Sequence, residues 1–497
     1  MYRSKTLSFL PVLLLAALAL ASCSGPQNRR VTGGGGGSAT VSLTLAAVPF
    51  VPPPGTSILS FALTLSSVQL TPTSGSIVNI PLNTATYVVD LTRLQSDSAF
   101  LGQLLAKVPA GTYNKVTVGV TSAVVTYCTD LGGTSGCDAA SVKQVTQGAT
   151  TPATSSFSAT LTSGQKTAIQ IQFNFANAIT ISTTQAQVVS KVDLTATNVL
   201  TASILAPTSS TSSLGTGQLD FVEDVTGMVT AESSTSVTVQ TSQHGSITAA
   251  ANQSSISFTN CVTTPGTACP PKVGQFASID TVLDSDGTFT LLDFDPIAPT
   301  SSDWIEGIVS TTPSSSTQFQ IVTNDIILAS SNSLIGANLL LGDPVQVTLS
   351  SVPPVQPFVV DSKGLFVVST PFTSGSTDAT NIIPGQTVAL HVTKFTAKIG
   401  TTTPAAVNVD TVVLRFTRVA GSISNVPGPT FNIQSLPPFF GSTVSYQVQL
   451  STGTPPTNYD GVSNASGLIV GKTAAMRALY FGPTFQPAFS AAKVRQF

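Results

Sequence analysis

The sequence predicts an all-β chain: an N-terminal antiparallel β-sandwich followed by about three small antiparallel β-barrel modules. Three observations lead there. Apolar and polar residues alternate with period two in several stretches, as in Val116-Thr117-Val118-Gly119-Val120-Thr121, which is the pattern of strands with one buried and one solvated face. A glycine-centred opening recurs at Val225–Val229, Ile305–Val309 and Val419–Ile423, each time followed by a short β segment. Charged residues are only 8% of the 497 positions while the hydrophobic fraction is an ordinary 41%. Typical domains carry about 25% charge, so here Ser, Thr, Asn and Gln cover the outside. Disorder needs low hydrophobicity with high net charge; this chain has neither.

The N-terminus precedes the folded part. A basic start (Arg3, Lys5), an apolar run from Leu7 to Leu20 and the small residues Ala21 and Ser22 describe a secretory signal peptide over residues 1–22, too short to span a membrane. Leu20-Ala21-Ser22-Cys23 resembles the lipobox of bacterial lipoproteins. The resemblance implies that Cys23 is acylated and begins the mature protein; the alternative is an ordinary secreted protein that discards Cys23. Each acyl CH₂ buried in lipid contributes about 0.8 kcal/mol, so a multiply acylated Cys23 would be a durable membrane anchor. Ser24 is compatible with an outer membrane. Residues 23–38, with the run Gly33–Gly37, lack the Gly-Lys-Ser/Thr of a phosphate-binding loop and read as a tether spanning about 20–23 Å.

Residues 39–205 form the sandwich. Phe61, Leu63 and Leu65 alternate with polar or small residues, and the period slips at Ser66-Ser67 before Val68 and Leu70, as at a β-bulge. Ile169, Ile171, Phe173 and Phe175 repeat the alternation, and Leu91–Ala106 is the one stretch with a helical apolar face. The series Ser60–Leu70, Val89-Asp90-Leu91 and Pro109-Ala110-Gly111-Thr112-Tyr113 resembles a bacterial envelope-lipoprotein domain of unknown function, for which no catalytic residues are established. Residues 206–219 read as a Ser/Thr/Gly/Pro linker.

The barrels are assigned to 220–300, 301–418 and 419–497. Glycine turns at Val273–Phe276, Gly342–Val347 and Gly441–Tyr446 fall later in the units, and Pro384–Val388 reads as an extra piece that lengthens the second. Their spacing is too uneven for a propeller or solenoid. These openings resemble a second family of unknown function, small β-barrels in tandem in bacterial exported proteins.

Chemistry-bearing residues are few. In an exported chain, Cys128 with Cys137 and Cys261 with Cys269 predict two local disulfides by proximity; the spacing does not suit zinc. Asp284-Ser285-Asp286-Gly287-Thr288, with Asp293 and Asp295, could hold calcium, but the glycine comes fourth rather than sixth, and a hairpin between strands Phe276–Leu283 and Thr288–Phe294 accounts for the pattern. His244 and His391 read as exposed strand or turn residues, and Gly461–Ala465 is a loop rather than a nucleophile elbow. Asp220, Glu223, Asp224 and Glu306 sit near unit openings and read as turn or edge residues. Trp304, the single tryptophan, is expected to pack between modules. No metal, cofactor or catalytic residue is assigned. No basic run is present to neutralise nucleic-acid phosphates. The expected partners are a membrane, through the lipid, and an envelope glycan or protein. The function expected is a non-enzymatic binding or scaffold module of the cell envelope; the alternative is a hydrolase acting on polysaccharide through paired carboxylates.

Overall fold

The computed structural model describes residues 37–497, apart from 102–105, 130–135, 138–140, 148–151, 183–187, 208–211, 242–244, 252–269, 299–301, 329–332, 401–402 and 442–444. Strands dominate. The first module contains β1 (Ser38–Val48), β2 (Thr56–Pro72), β3 (Val78–Ile80), β4 (Tyr87–Asp90), β5 (Ala99–Phe100), β6 (Ala106–Pro109) and β7 (Gly111–Thr129). It continues with β8 (Lys143–Thr146), β9 (Ala153–Leu161), β10 (Lys166–Asn174), β11 (Ile179–Ser182), β12 (Val188–Val192) and β13 (Leu200–Leu205).

One sheet runs β13-β10-β1, with β5 and β6 on the far edge of β1; the other is built on β2 and β7, flanked by β3, β4, β8 and β9. Leu43, Leu45, Phe61, Leu63, Val116, Val118, Ile169 and Ile171 are fully buried together in the core between them, as the alternation requires. The slip in β2 is real: register shifts flank Leu65 in its pairing with β7, so Val68 and Leu70 turn inward again. One ladder of the sandwich departs from the antiparallel expectation, as one closing ladder does in each of the barrels that follow. β1 and β10 pair in parallel from Thr40↔Lys166 to Val48↔Asn174, an arrangement open to strands that no hairpin joins.

The helix expected over Leu91–Ala106 is absent from its described part, which holds one 3-10 turn, Arg93–Gln95. Asp90 redirects the chain there. Its Oδ1 accepts the amides of Phe61 and Thr92 and the Thr92 hydroxyl, all at 2.8–2.9 Å, a side-chain-to-backbone turn that competes with helix.

Three barrels follow. The first comprises β14 (Gln218–Ser233), β15 (Ser236–Thr241), β16 (Gly245–Ala250), β17 (Phe276–Asp284) and β18 (Phe289–Ala298), closed in the order β14-β15-β16-β18-β17. The second has β19 (Trp304–Val309), β20 (Gln318–Ile327), β21 (Pro344–Leu349), β22 (Val359–Val360), β23 (Thr387–Thr396) and β24 (Ala405–Arg415). The third has β25 (Thr417–Asn425), β26 (Thr430–Gln434), β27 (Ser445–Leu450), β28 (Asn458–Asp460), β29 (Thr473–Tyr480) and β30 (Phe489–Gln496). Leaving aside the short β22 and β28, each barrel has five strands, of which the first lies between the second and fourth, and the third pairs in parallel with the last. This is a five-stranded Greek-key barrel, the architecture of OB folds.

The repeated opening has one physical cause. A Cβ on Gly227, Gly307 or Gly421 would lie 2.2, 2.6 or 2.5 Å from the carbonyl oxygen of Gln240, Val322 or Gln434 on the neighbouring strand. Only glycine lets the first strand press that close as the barrel curls. Gly307→Ala should therefore cost about 1–3 kcal/mol in urea unfolding. Gly453→Ala, whose Cβ would meet nothing nearer than 3.8 Å, should leave the midpoint unchanged.

Two organisational expectations change. Pro384–Val388 is no extra piece: it leads into the fourth strand of barrel 2, as Val273–Phe276 does in barrel 1, with Gly385 and Gly274 both at positive φ. The longest connection of barrel 2 is residues 350–386, which carry β22 and Lys363. The second half of the linker is docked: Ser212 bridges Asp460, and the Ser213 amide donates to the Tyr459 carbonyl at 2.9 Å.

Candidate functional site: a buried ionic junction

The four modules meet around one carboxylate, that of Asp224. It sits at a bulge in β14 with φ +58°, a left-handed conformation uncommon outside glycine that aspartate and asparagine adopt more readily than other residues. Its amide donates to Asp280 Oδ1 at 2.7 Å, and Ser278 Oγ donates to its Oδ1 at 2.8 Å. So fixed, it faces four guanidinium groups from the other modules. Arg93 of the sandwich reaches Oδ2 at 2.6 Å. Arg415, on β24 of barrel 2, and Arg477, on β29 of barrel 3, approach Oδ1 at 2.5 and 3.8 Å. Arg418, on β25, approaches Oδ2 at 2.5 Å.

Further carboxylates complete the network. Glu306 of barrel 2 takes Arg93 and Arg415, both at 3.1 Å, Asp325 takes Arg93 at 3.3 Å, and Asp361 pairs with Arg415. Asp97 takes Arg418 at 2.9 Å. Glu223 holds Lys493 at 2.7 Å and Arg477 at 3.5 Å. Lys363 lies among Asp280, Asp293 and Asp295 at 3.0, 3.6 and 2.7 Å. Asp220 accepts Ser98 and Gln170 of the sandwich at 3.1 and 3.0 Å.

Desolvation penalises every charge here, and pairing decides which stay ionised. Burial pushes the Asp224 carboxyl up, but Arg415, Arg418, Arg93 and Arg477 outweigh it and hold it well below the ordinary range. Asp280 is likewise pulled down against burial, by Arg477 and Lys363. Asp293 goes the other way: burial, then the charge of Asp295, raise it well above the usual value. Because the fold prefers the neutral form of Asp293, that contribution is complete below the ordinary carboxylate range and is lost as pH climbs through the raised value. Asp293→Asn mimics the neutral acid. Its urea midpoint should fall less than that of the wild type as pH rises above the ordinary carboxylate range.

Apolar seams surround the charges. Trp304 packs with Phe276 and Ile297 of barrel 1 and with Ile327, Ala389 and Val413 of barrel 2, as expected of it. Phe100 of the sandwich meets Phe289 of barrel 1 edge-on at 5.0 Å. Two clefts flank Arg93. One, of about 50 Å³, is lined by Phe50, Arg93, Asn324 and Arg418; the other, of about 40 Å³, by Tyr87, Arg93, Glu223 and Asp325. Small-molecule sites are typically about 300–1,000 Å³; these clefts have room for a few waters.

Asp220, Glu223, Asp224 and Glu306 are not turn or edge residues; all four are buried at this junction. The acidic run splits, with Asp286 turning the hairpin tip by accepting the Thr288 amide at 2.9 Å while Asp293 and Asp295 face Lys363. His391 is no bare surface residue: Nδ1 lies 2.6 Å from Asp410 Oδ1 and its ring is 5.3 Å from that of Trp304. Within Gly461–Ala465, Asn464 caps a 3-10 turn through the Ser466 amide. Cys128 and Cys137 are bonded. Cys23, His244, Cys261 and Cys269 lie outside the described residues. The arginines and Lys363 are marked by no spacing motif; the signal the sequence offers is a charge inside an apolar run, as at Arg477 in Ala474-Ala475-Met476-Arg477-Ala478-Leu479.

Residues 38–191 match a family described as Domain of unknown function (DUF4382). That span runs from β1 into β12, the body of the sandwich. No curated protein matches the chain.

Proposed function

We propose that this protein is a lipid-anchored, non-enzymatic scaffold of the bacterial cell envelope. On this reading Cys23 carries the lipid, residues 24–38 form a short tether, and the four modules act as one rigid body that contacts envelope glycan or protein. The three barrels are then a tandem family of their own, set beyond the DUF4382 domain. The observation behind the proposal is the Asp224 junction: Glu223, Asp224 and Glu306 are each paired with a buried cation, beside clefts too small for a sugar ring. A rigid body on a short tether holds its outer faces at a set height above the membrane.

The full chain expressed in a bacterium tests this. Wild type should sediment with membranes and Cys23→Ala should move to the soluble fraction. Saturable binding to purified cell-wall polysaccharide, peptidoglycan or an envelope protein should follow, without release of new reducing ends. Catalytic release of reducing ends would overturn the scaffold reading, and soluble wild-type protein would overturn the anchor.

A further inference from the structure

The Cys128–Cys137 disulfide lies in a seam between modules. Cys128 is the last residue but one of the long strand β7 of the sandwich, yet both cysteines are buried in the apolar cluster of barrel 3, with Ile308 and Val322 of barrel 2. The residues at the closing end of the loop make inter-module hydrogen bonds. The Gly136 amide donates to the Phe439 carbonyl of barrel 3 at 2.8 Å, and the Cys137 amide donates to the Ser310 carbonyl of barrel 2 at 2.6 Å. Gly136, at φ +89°, leaves no room for a side chain: a Cβ would lie 2.7 Å from Pro384 of barrel 2. Nearby, the Phe439 amide donates to Ser57 Oγ, and Thr126 Oγ1 and Gln144 Nε2 both donate to the Gly342 carbonyl of barrel 2.

We propose that this disulfide is a redox-operated lock that seats the sandwich on barrels 2 and 3. Only when Cys137 is bonded to Cys128 is Gly136-Cys137 held where both amides meet their partners across the seam. The bond forms by thiol–disulfide exchange with a disulfide-bearing oxidant: the two cysteine thiols give up two protons and two electrons, the S–S bond forms, and the oxidant departs as two thiols. In reduced chain the thiols separate and the two amides lose their fixed geometry, while the sandwich core, built on β2 and β7, stays intact. Docking therefore becomes complete only after the chain reaches an oxidising compartment.

Hydrogen exchange on the full chain tests the lock, comparing oxidised protein, protein reduced with a phosphine, and Cys128→Ala/Cys137→Ala. The amides of Gly136, of position 137 and of Phe439 should exchange at least tenfold faster in the reduced protein and in the variant, with β2 and β7 unchanged. Reoxidation with glutathione disulfide should restore the reduced wild type but not the variant. Unchanged exchange at Gly136 and Cys137 on reduction would overturn the proposal. So would faster exchange throughout β2 and β7, which would make the bond a general stabiliser of the sandwich.

Discussion

Asp224→Asn should lower the stability of the folded body by about 3–5 kcal/mol, the size of effect seen when one partner of a buried pair is removed. The asparagine would keep the shape but leave Arg93, Arg415, Arg418 and Arg477 without the charge they surround. Urea unfolding at neutral pH measures it. Asp193→Asn is the contrast: Asp193 pairs at 2.7 Å with Lys191, whose side chain is 63% exposed, and such surface pairs contribute about 0–1 kcal/mol. The pH dependence follows from the same arrangement. The Asp224 carboxyl is held well below its ordinary range, so its stabilisation is present above the unfolded carboxylate range and is lost only as pH falls through the depressed folded value. The wild type should keep this contribution through mild acid, and Asp224→Asn should lack it at every pH.

Arg93→Met should produce the second large effect, of similar size and with a different signature. Arg93 is the sandwich's guanidinium on Asp224 and also reaches Glu306 and Asp325 of barrel 2. All three of these partners lie outside its own module. The variant should therefore keep a folded sandwich that undocks, with protease cleavage appearing between sandwich and barrels before either unfolds. The double variant Arg93→Met/Asp224→Asn should be more stable than the sum of the single losses implies, by about 0.5–3 kcal/mol. Strict additivity would show that the two residues do not act on one another.

The fold was legible because strands that bury one face must alternate, and that rule is local. Phe61, Leu63 and Leu65, the slip at Ser66-Ser67, and the hairpin at Asp286-Gly287 could be read residue by residue. The glycine openings were equally visible, although their cause, a carbonyl of the next strand beneath each glycine, needs three dimensions. The junction was hidden for the opposite reason. Asp224 and its guanidinium partners come from four modules, and no spacing rule links Arg93 to Asp224 or Asp224 to Arg477. Asp220, Glu223, Asp224 and Glu306 stood out as acidic residues near openings, but edge position explained them as well as burial did. A usable signal was present in the composition. In a chain with 8% charge, a charged residue inside an apolar strand, such as Arg415 after Val412-Val413-Leu414, has no surface role to explain it. Such residues occur in every module. The helix expected near Leu91 failed because Asp90 ties the following amide into a turn, a choice that apolar periodicity does not register.

The most direct test of the account is thermal unfolding of the full chain followed at Trp304, which sits in the seam between barrels 1 and 2, and by far-ultraviolet circular dichroism, which reports every strand. A body held together at Asp224 should show one cooperative transition, coincident by both probes, and Asp224→Asn should split it into at least two. Separate transitions in the wild type, or a single unshifted transition in the variant, would contradict a junction that holds the modules together.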